Sequence, residues 1–188
     1  MFIRRRKTVM KALAVAAALF VLATQIGAFG PGQGAVKLEG AWIAKVISYE
    51  NAPVNWPVQW SYVLAPDASG RSASIHGSVD VAFPQNPDLL YDLNTPLIGE
   101  IVQTGPHTAA FNAYWYSIKK AAPFDQIVFI GRSWGEARFT GPGNLEATHH
   151  FELYLPNADT NGDGLPEGSP IIQFVLTTQE TRIPPPER

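Results

Sequence analysis

The stretch LEATHHFELYL, residues 145–155, alternates apolar and polar positions from end to end. Successive side chains of a β-strand point to opposite faces, so this pattern predicts a strand with one dry and one wet face. The dry face contains Leu145, Ala147, His149, Phe151, Leu153 and Leu155. The wet face contains Glu146, Thr148, His150, Glu152 and Tyr154.

The same period of two continues on both sides of this strand. Residues 36–47, 71–83 and 170–183 alternate in the same way, and the turn sequences PDASG (66–70) and GPGN (141–144) separate neighbouring runs. We count about eight strands, with no helix after the N-terminal segment and no internal repeat. This organisation predicts an all-β, antiparallel fold, either a sandwich or a closed up-and-down barrel.

The first and last strands favour closure into a barrel. Trp42 lies on the dry face of the first strand, and parity places Arg182 on the inward face of the last, together with Ile172, Phe174, Leu176, Thr178 and Glu180. If these strands pair, Arg182 comes close to Trp42 and can cover the indole as a cation–π contact. We interpret the i, i+2 pairs Glu180/Arg182 and Glu136/Arg138 as ion pairs along single strands.

Three short motifs carry a family resemblance: LEGAW (38–42), APDASGR (65–71) and TGPHTAAF (104–111). With its G-x-W on the first strand and an Arg near the end of the last, the chain resembles the lipocalin-like (calycin) barrels and bacterial secreted proteins of that shape. The resemblance implies that Trp42 and Arg182 close the fold. The chain departs from the lipocalin pattern at Ile43, where an aromatic is usual, and it lacks the Asp-Tyr motif and the cysteines.

The N-terminal segment has the features of a signal peptide. Five basic residues precede or flank an uninterrupted apolar run from Ala12 to Ala23, which is shorter than the ~20 residues that span a membrane. We expect a signal peptide at 1–28, a flexible mature N-terminus at 29–35, a barrel domain at 36–183 and a Pro-rich tail at 184–188. The expected location is secreted or periplasmic, with no membrane insertion after cleavage; an uncleaved anchor is the alternative.

Charge and cysteine content exclude several kinds of partner. The chain has no cysteine, which excludes disulfides and thiolate metal sites. It contains 14 Lys and Arg against 16 Asp and Glu, and because residues 1–28 hold five basic and no acidic residues, the remainder has 9 basic against 16 acidic. A mature protein of that charge is a poor partner for nucleic acid, and we predict that it binds none.

Aromatic residues of inward parity suggest a ligand cavity in the barrel. Such cavities combine apolar walls with a few orienting polar groups, and an eight-stranded barrel can enclose one small ligand. The candidate ligand-binding residues are Trp60, Tyr62, Phe111, Trp115, His149 and Phe151. Core packing accounts for the same aromatics equally well. His149 is also a weak candidate for a general acid or base, and the alternative is a hydrogen-bonded core histidine.

The residue pattern favours binding over catalysis. No H-E-x-x-H and no phosphate-binding glycine loop is present. We therefore predict that the barrel binds a small, largely apolar molecule and lean against an enzyme. One alternative is a calycin-type cyclase or isomerase acting in the barrel lumen. The other is a structural envelope protein with a filled barrel.

The stretch DTNGDGLPE, residues 159–167, resembles the first half of a calcium loop. Oxygen ligands would come from Asp159, Asn161, Asp163, the Leu165 carbonyl and Glu167. The position that carries a bidentate Glu in an EF-hand is Pro170, so an EF-hand is excluded. The pattern leaves two alternatives open: a weak structural Ca²⁺ site, and a plain Asn/Asp/Gly turn. We predict no other cofactor.

Overall fold

The computed structural model describes residues 37–52, 59–78 and 91–185. The strands in these ranges are β1 (Gly40–Glu50), β2 (Gln59–Pro66), β3 (Ser72–Ser78), β4 (Leu93–Asn94), β5 (Leu97–Gln103), β6 (Thr108–Lys119), β7 (Gln126–Gly141), β8 (Asn144–Tyr154) and β9 (Ile172–Arg182). One 3₁₀ turn follows β8 at Pro156–Ala158. None of the helical structure in the described ranges has the length and apolar character that a membrane span requires.

Eight of these strands close into a barrel. Each pairs antiparallel with its neighbours in the order β1, β2, β3, β5, β6, β7, β8 and β9, and β9 pairs back with β1. The two-residue β4 lies outside the ring and pairs with β6. The predicted all-β, eight-stranded antiparallel barrel is therefore confirmed, and the sandwich alternative is wrong.

The two ends of the barrel differ in their connections. The turns β2–β3, β5–β6 and β7–β8 are short and meet at one end, which we call the short-turn end. The connections β1–β2, β3–β5, β6–β7 and β8–β9 are longer and meet at the other, the long-connection end. The β7–β8 turn takes only residues 142–143, whereas the β8–β9 connection takes residues 155–171. The longer connections around the lumen therefore lie at the long-connection end.

At the short-turn end, the first and last strands pair and complete the ring of the barrel. Trp42 lies directly opposite Arg182 in the β1–β9 register, as the closure argument predicted. The Arg182 guanidinium donates a 3.1 Å hydrogen bond to the Glu39 carboxylate, and the Trp42 indole N–H donates to the Glu39 backbone carbonyl at 3.2 Å. Gly40 has a φ of +91°, and a Cβ there would lie 2.8 Å from Arg182 Nε, so this close approach requires glycine.

Two predicted ion pairs are wrong. Arg182 pairs with Glu39 rather than with Glu180, which lies deeper in the barrel. Arg138 pairs with Glu146 at 3.3 Å, and these two residues are directly opposite each other on β7 and β8. Residues opposite each other across an antiparallel pair are closer than residues two apart on one strand, so the cross-strand partner is the one reached.

The predicted dry faces form the core of the barrel. The buried side chains on β1, β3, β8 and β9 include Trp42, Ala44, Val46, Ala73, Ile75, Leu145, Ala147, His149, Phe151, Leu153, Phe174 and Leu176. The alternation fails where β8 ends: Tyr154 is buried and Leu155 is exposed, because the strand stops at Tyr154 and the chain turns into the 3₁₀ turn.

Several predictions concern residues outside the described ranges. These are the signal peptide at 1–28, the mature N-terminus at 29–35, the first residue of the domain at Val36, and the end of the Pro-rich tail at 186–188. They stay predictions.

Candidate ligand-binding site

The barrel lumen contains a cavity with mainly apolar walls. About 500 Å³ of space lies between its lining side chains, a volume that includes open solvent at its mouth. The space is narrow, with room for the centres of only a few water molecules. The walls are formed by Trp60, Tyr62, Ile75, Leu97, Ile101, Phe111, Ala113, Ser133, Ala137, Leu145, Ala147, His149, Phe151 and Glu180.

Most of the predicted ligand-binding residues face this cavity. Its lining includes Trp60, Tyr62, Phe111, His149 and Phe151. Trp115 is buried but does not line the cavity, and its ring centre is 5.2 Å from that of Phe151. Its indole also lies against Gly131, where a Cβ would collide with the ring. Trp115 therefore packs against a lining residue and is not part of the lining itself.

A chain of buried polar groups crosses the lumen. Glu180 on β9 accepts a hydrogen bond at Oε2 from the Tyr62 hydroxyl and one at Oε1 from the Thr178 hydroxyl, 2.7 Å away. The Nε2 atom of His149 lies 3.1 Å from Glu180 Oε1, and its Nδ1 atom lies 3.1 Å from Ser133 Oγ. The chain connects side chains of β2, β7, β8 and β9, so it links opposite parts of the barrel wall.

Glu180 is ionised despite its burial. Only 3% of its surface is exposed, and burial by itself would raise the pKa of its carboxyl group. The hydrogen bond and electrostatic attraction from His149, followed by the hydrogen bonds from Tyr62 and Thr178, outweigh that effect and hold the pKa below its ordinary value. The cavity wall thus contains a carboxylate that is stabilised by its neighbours.

The Tyr62 hydroxyl keeps its proton. Burial raises its pKa well above the ordinary value, and the adjacent negative charge of Glu180 and the hydrogen bond to it raise the pKa further. Tyr62 is therefore a fixed donor to Glu180 over the physiological pH range.

Aromatic rings hold the His149 imidazole in place. The Trp60 ring stands perpendicular to it with centres 5.1 Å apart, and the Phe111 ring is tilted against it at 4.7 Å. Together with hydrogen bonds at both ring nitrogens, these contacts leave the imidazole a single orientation. The structure thus supports the interpretation of His149 as a hydrogen-bonded core histidine, and it also places His149 at the cavity wall.

Sequence reasoning did not assign three members of the polar chain, Ser133, Thr178 and Glu180, to the ligand-binding site. Parity placed Thr178 and Glu180 on the inward face of the last strand, but Glu180 was paired with the wrong partner. Ser133 lies in the run IGRSWGE, where neighbouring glycines hide the alternation that would mark it as inward. Its contact with His149 depends on β7–β8 pairing, in which Ser133 is opposite Phe151.

The 159–167 loop brings three carboxylates together at the long-connection end. Single carboxylate oxygens of Asp159, Asp163 and Glu167 all lie within 4.8 Å of one another. The backbone N–H groups of Gly162 and Gly164 donate to Asp159, at 2.8 and 3.0 Å.

The other predicted ligands of this loop take part in its turn structure. Asn161 Oδ1 accepts a hydrogen bond from the Asp163 N–H at 2.8 Å, and Asp163 Oδ1 accepts one from the Leu165 N–H at 2.8 Å. Backbone donors of this kind stabilise an Asx-type turn with or without a cation. The calcium site stays a prediction.

Comparisons with known proteins give a structural neighbour and no family. Neither a protein-family model nor a curated protein matches the sequence. Among solved structures, the chain is similar to that of EF1p2_mFAP2b bound to DFHBI. The two are 16% identical, the match covers 78% of this chain and 94% of that chain, and the TM-score is 0.47.

Proposed function

We propose that the barrel binds a small, largely apolar molecule in its lumen. The observation that carries this proposal is the cavity itself, in which aromatic and aliphatic walls surround a few buried polar groups. Binding sites for small molecules have this composition, because apolar walls supply affinity and the polar groups fix orientation. A barrel core that served packing alone has no need of an ionised carboxylate in its wall, since burying that charge is costly.

Neighbouring residues on β8 provide a matched test. Ala147 faces the cavity and Thr148 faces the outside. We expect Ala147→Phe to fill the lumen and weaken binding of the apolar dye Nile red by at least about tenfold. Thr148→Phe adds the same ring on the outer face and should leave dye affinity within about twofold of wild type.

The readout is dye fluorescence in a titration, with circular dichroism as the check that both variants keep the strand signal. Equal dye binding by the two variants would place the dye outside the lumen and overturn the proposal.

A catalytic role is the second candidate, and the buried contact between His149 and Glu180 favours it. A histidine oriented by a carboxylate is the usual arrangement of a general base, and here Nε2 faces Glu180 while Nδ1 faces Ser133. Chemistry of the cyclase or isomerase kind would need only a shaped cavity and one such group. With a ligand in hand, His149→Ala should abolish turnover and spare binding if the barrel is a catalyst; a carrier shows no turnover to lose.

We also propose an extracytoplasmic location, which rests on residues 1–28 alone. Fractionation of the host with N-terminal sequencing of the mature chain tests it. A mature N-terminus near residue 29 in the periplasm or the medium is the expected result, and an intact Met1 in the cytoplasm would contradict it.

A further inference from the structure

The hydrogen bonds around Glu180 show which polar atoms remain for a ligand. Three donors meet its two carboxylate oxygens: the Tyr62 hydroxyl, the Thr178 hydroxyl and the His149 Nε2 group. The carboxylate is only 3% exposed and its charge lies beside His149. A ligand cation would have to compete with these three donors for the carboxylate, so Glu180 is a poor counter-ion for a ligand.

His149 is also fully engaged. Its Nε2 atom faces Glu180 and Thr178, and its Nδ1 atom faces Ser133. No ring nitrogen is left for an anionic ligand unless one of these contacts breaks. The other ion pairs of β7 and β8, such as Arg132 with Glu152, are not part of the cavity wall.

Ser133 is a cavity-lining group with unused hydrogen-bonding capacity. A hydroxyl has one donor and two acceptor sites, and Ser133 uses one site on His149 Nδ1. If the imidazole accepts from Ser133, the hydroxyl offers acceptor sites to the lumen; if the imidazole donates, the hydroxyl offers its proton. A ligand alcohol satisfies either arrangement, because it both donates and accepts.

We propose that the lumen selects an uncharged, narrow, apolar molecule whose polar group, of the alcohol type, bonds to Ser133. This inference rests on the proposed function and names the ligand class of the same site. A charged head group would be buried among mainly apolar walls, where the carboxylate of Glu180 already accepts three hydrogen bonds from described residues. Burial of a charge without a partner is strongly unfavourable. The small space left between the walls favours a slender molecule.

A series of octyl probes tests the inference at pH 7. Octanol, octylammonium and octanoate share one chain and differ in head-group charge, and each is titrated against Nile red bound to the wild-type protein. We expect octanol to displace the dye at a concentration at least about tenfold below that of either ion. This comparison needs no variant.

Two serine variants localise the head group. Ser133→Ala should weaken octanol about fivefold to tenfold, the loss of one hydrogen bond. Ser117→Ala is the matched control, because Ser117 is a buried serine on β6 that donates to Asn94 and does not line the cavity. It should leave octanol affinity unchanged.

The outcomes separate the two proposals. If octylammonium or octanoate displaces the dye best, or if Ser133→Ala leaves octanol affinity unchanged, the lumen binds ligands but the inference about their class is wrong. If wild-type protein binds neither Nile red nor any octyl probe, the proposed function itself fails.

Discussion

At the scale of single residues, Glu180 is the carboxylate to which the polar side chains of the lumen are hydrogen-bonded. Its inward position follows from the alternation on the last strand, but its partners do not. Tyr62 lies 118 residues away in sequence and His149 lies 31 away, and only the closed barrel brings them together. Sequence parity therefore predicts the face of a side chain, whereas its partner depends on strand order and register.

The first prediction concerns the stability contributed by Glu180. Glu180→Gln removes the carboxylate that accepts hydrogen bonds from Tyr62, Thr178 and His149 and leaves these buried groups with a poorer acceptor, so we expect the free energy of unfolding to fall by about 3 kcal/mol. Glu146→Gln is the control, because Glu146 pairs with Arg138 at the barrel surface and its loss should cost less than about 0.5 kcal/mol. Urea unfolding measures both values. A cost for Glu180→Gln as small as that of the control would contradict the network.

The second prediction is a pH dependence with a definite sign. The pKa of Glu180 is lowered in the folded state, so the unfolded chain binds a proton there more readily. The stability that Glu180 contributes is therefore complete above its ordinary pKa of 4.5 and is lost as the pH falls through the folded-state value. The difference in unfolding free energy between wild type and Glu180→Gln should shrink as the pH falls below about 4.5.

Urea unfolding of both proteins at a series of pH values checks this dependence. If the difference in unfolding free energy between the two proteins stayed constant down to about pH 3, Glu180 would have the same pKa in the folded and unfolded chains, contrary to the prediction.

At the scale of elements, the sequence predicted the strands more accurately than the connections between them. Strict alternation in residues 145–155 was enough for β8, apart from its end at Tyr154. The loop at 159–167 carries a recognisable ligand pattern, yet the pattern suits a turn and a cation equally. Its carboxylates accept backbone N–H groups of the same loop, and its Gly164 carbonyl accepts a hydrogen bond from Tyr116 on β6 at 2.9 Å.

The third prediction tests calcium at this loop. With dissociation constants on the order of 10⁻⁴ to 10⁻³ M, which are typical of weak extracellular sites, about 10 mM Ca²⁺ stabilises a protein by roughly 1.4 kcal/mol or more. We expect Tm to rise by about 3 °C or more with Ca²⁺ and to return with a chelator. The double variant Asp159→Ala/Asp163→Ala should show no rise, and Mg²⁺ at the same concentration controls for ionic strength. An unchanged Tm in wild type would leave the loop a turn.

At the scale of the whole molecule, closure of the barrel was predictable because the first and last strands each contain a residue that indicates their pairing. Trp42 on the first strand and Arg182 on the last indicated their pairing, and the register places them opposite each other. The cavity was predictable only in outline. Whether inward aromatics fill a lumen depends on how they pack, as Trp115 does against Gly131 and Phe151, and that packing has no signature in the sequence.

The central claim is that the lumen holds a small molecule, and native mass spectrometry of the protein purified from its own host tests it most directly. The account predicts a mature chain with an added mass of a small organic molecule that is released on denaturation. The same preparation of Ala147→Phe should lack that mass, and Thr148→Phe should retain it. A bare chain in every preparation, or an added mass that survives the filled lumen of Ala147→Phe, would contradict the account.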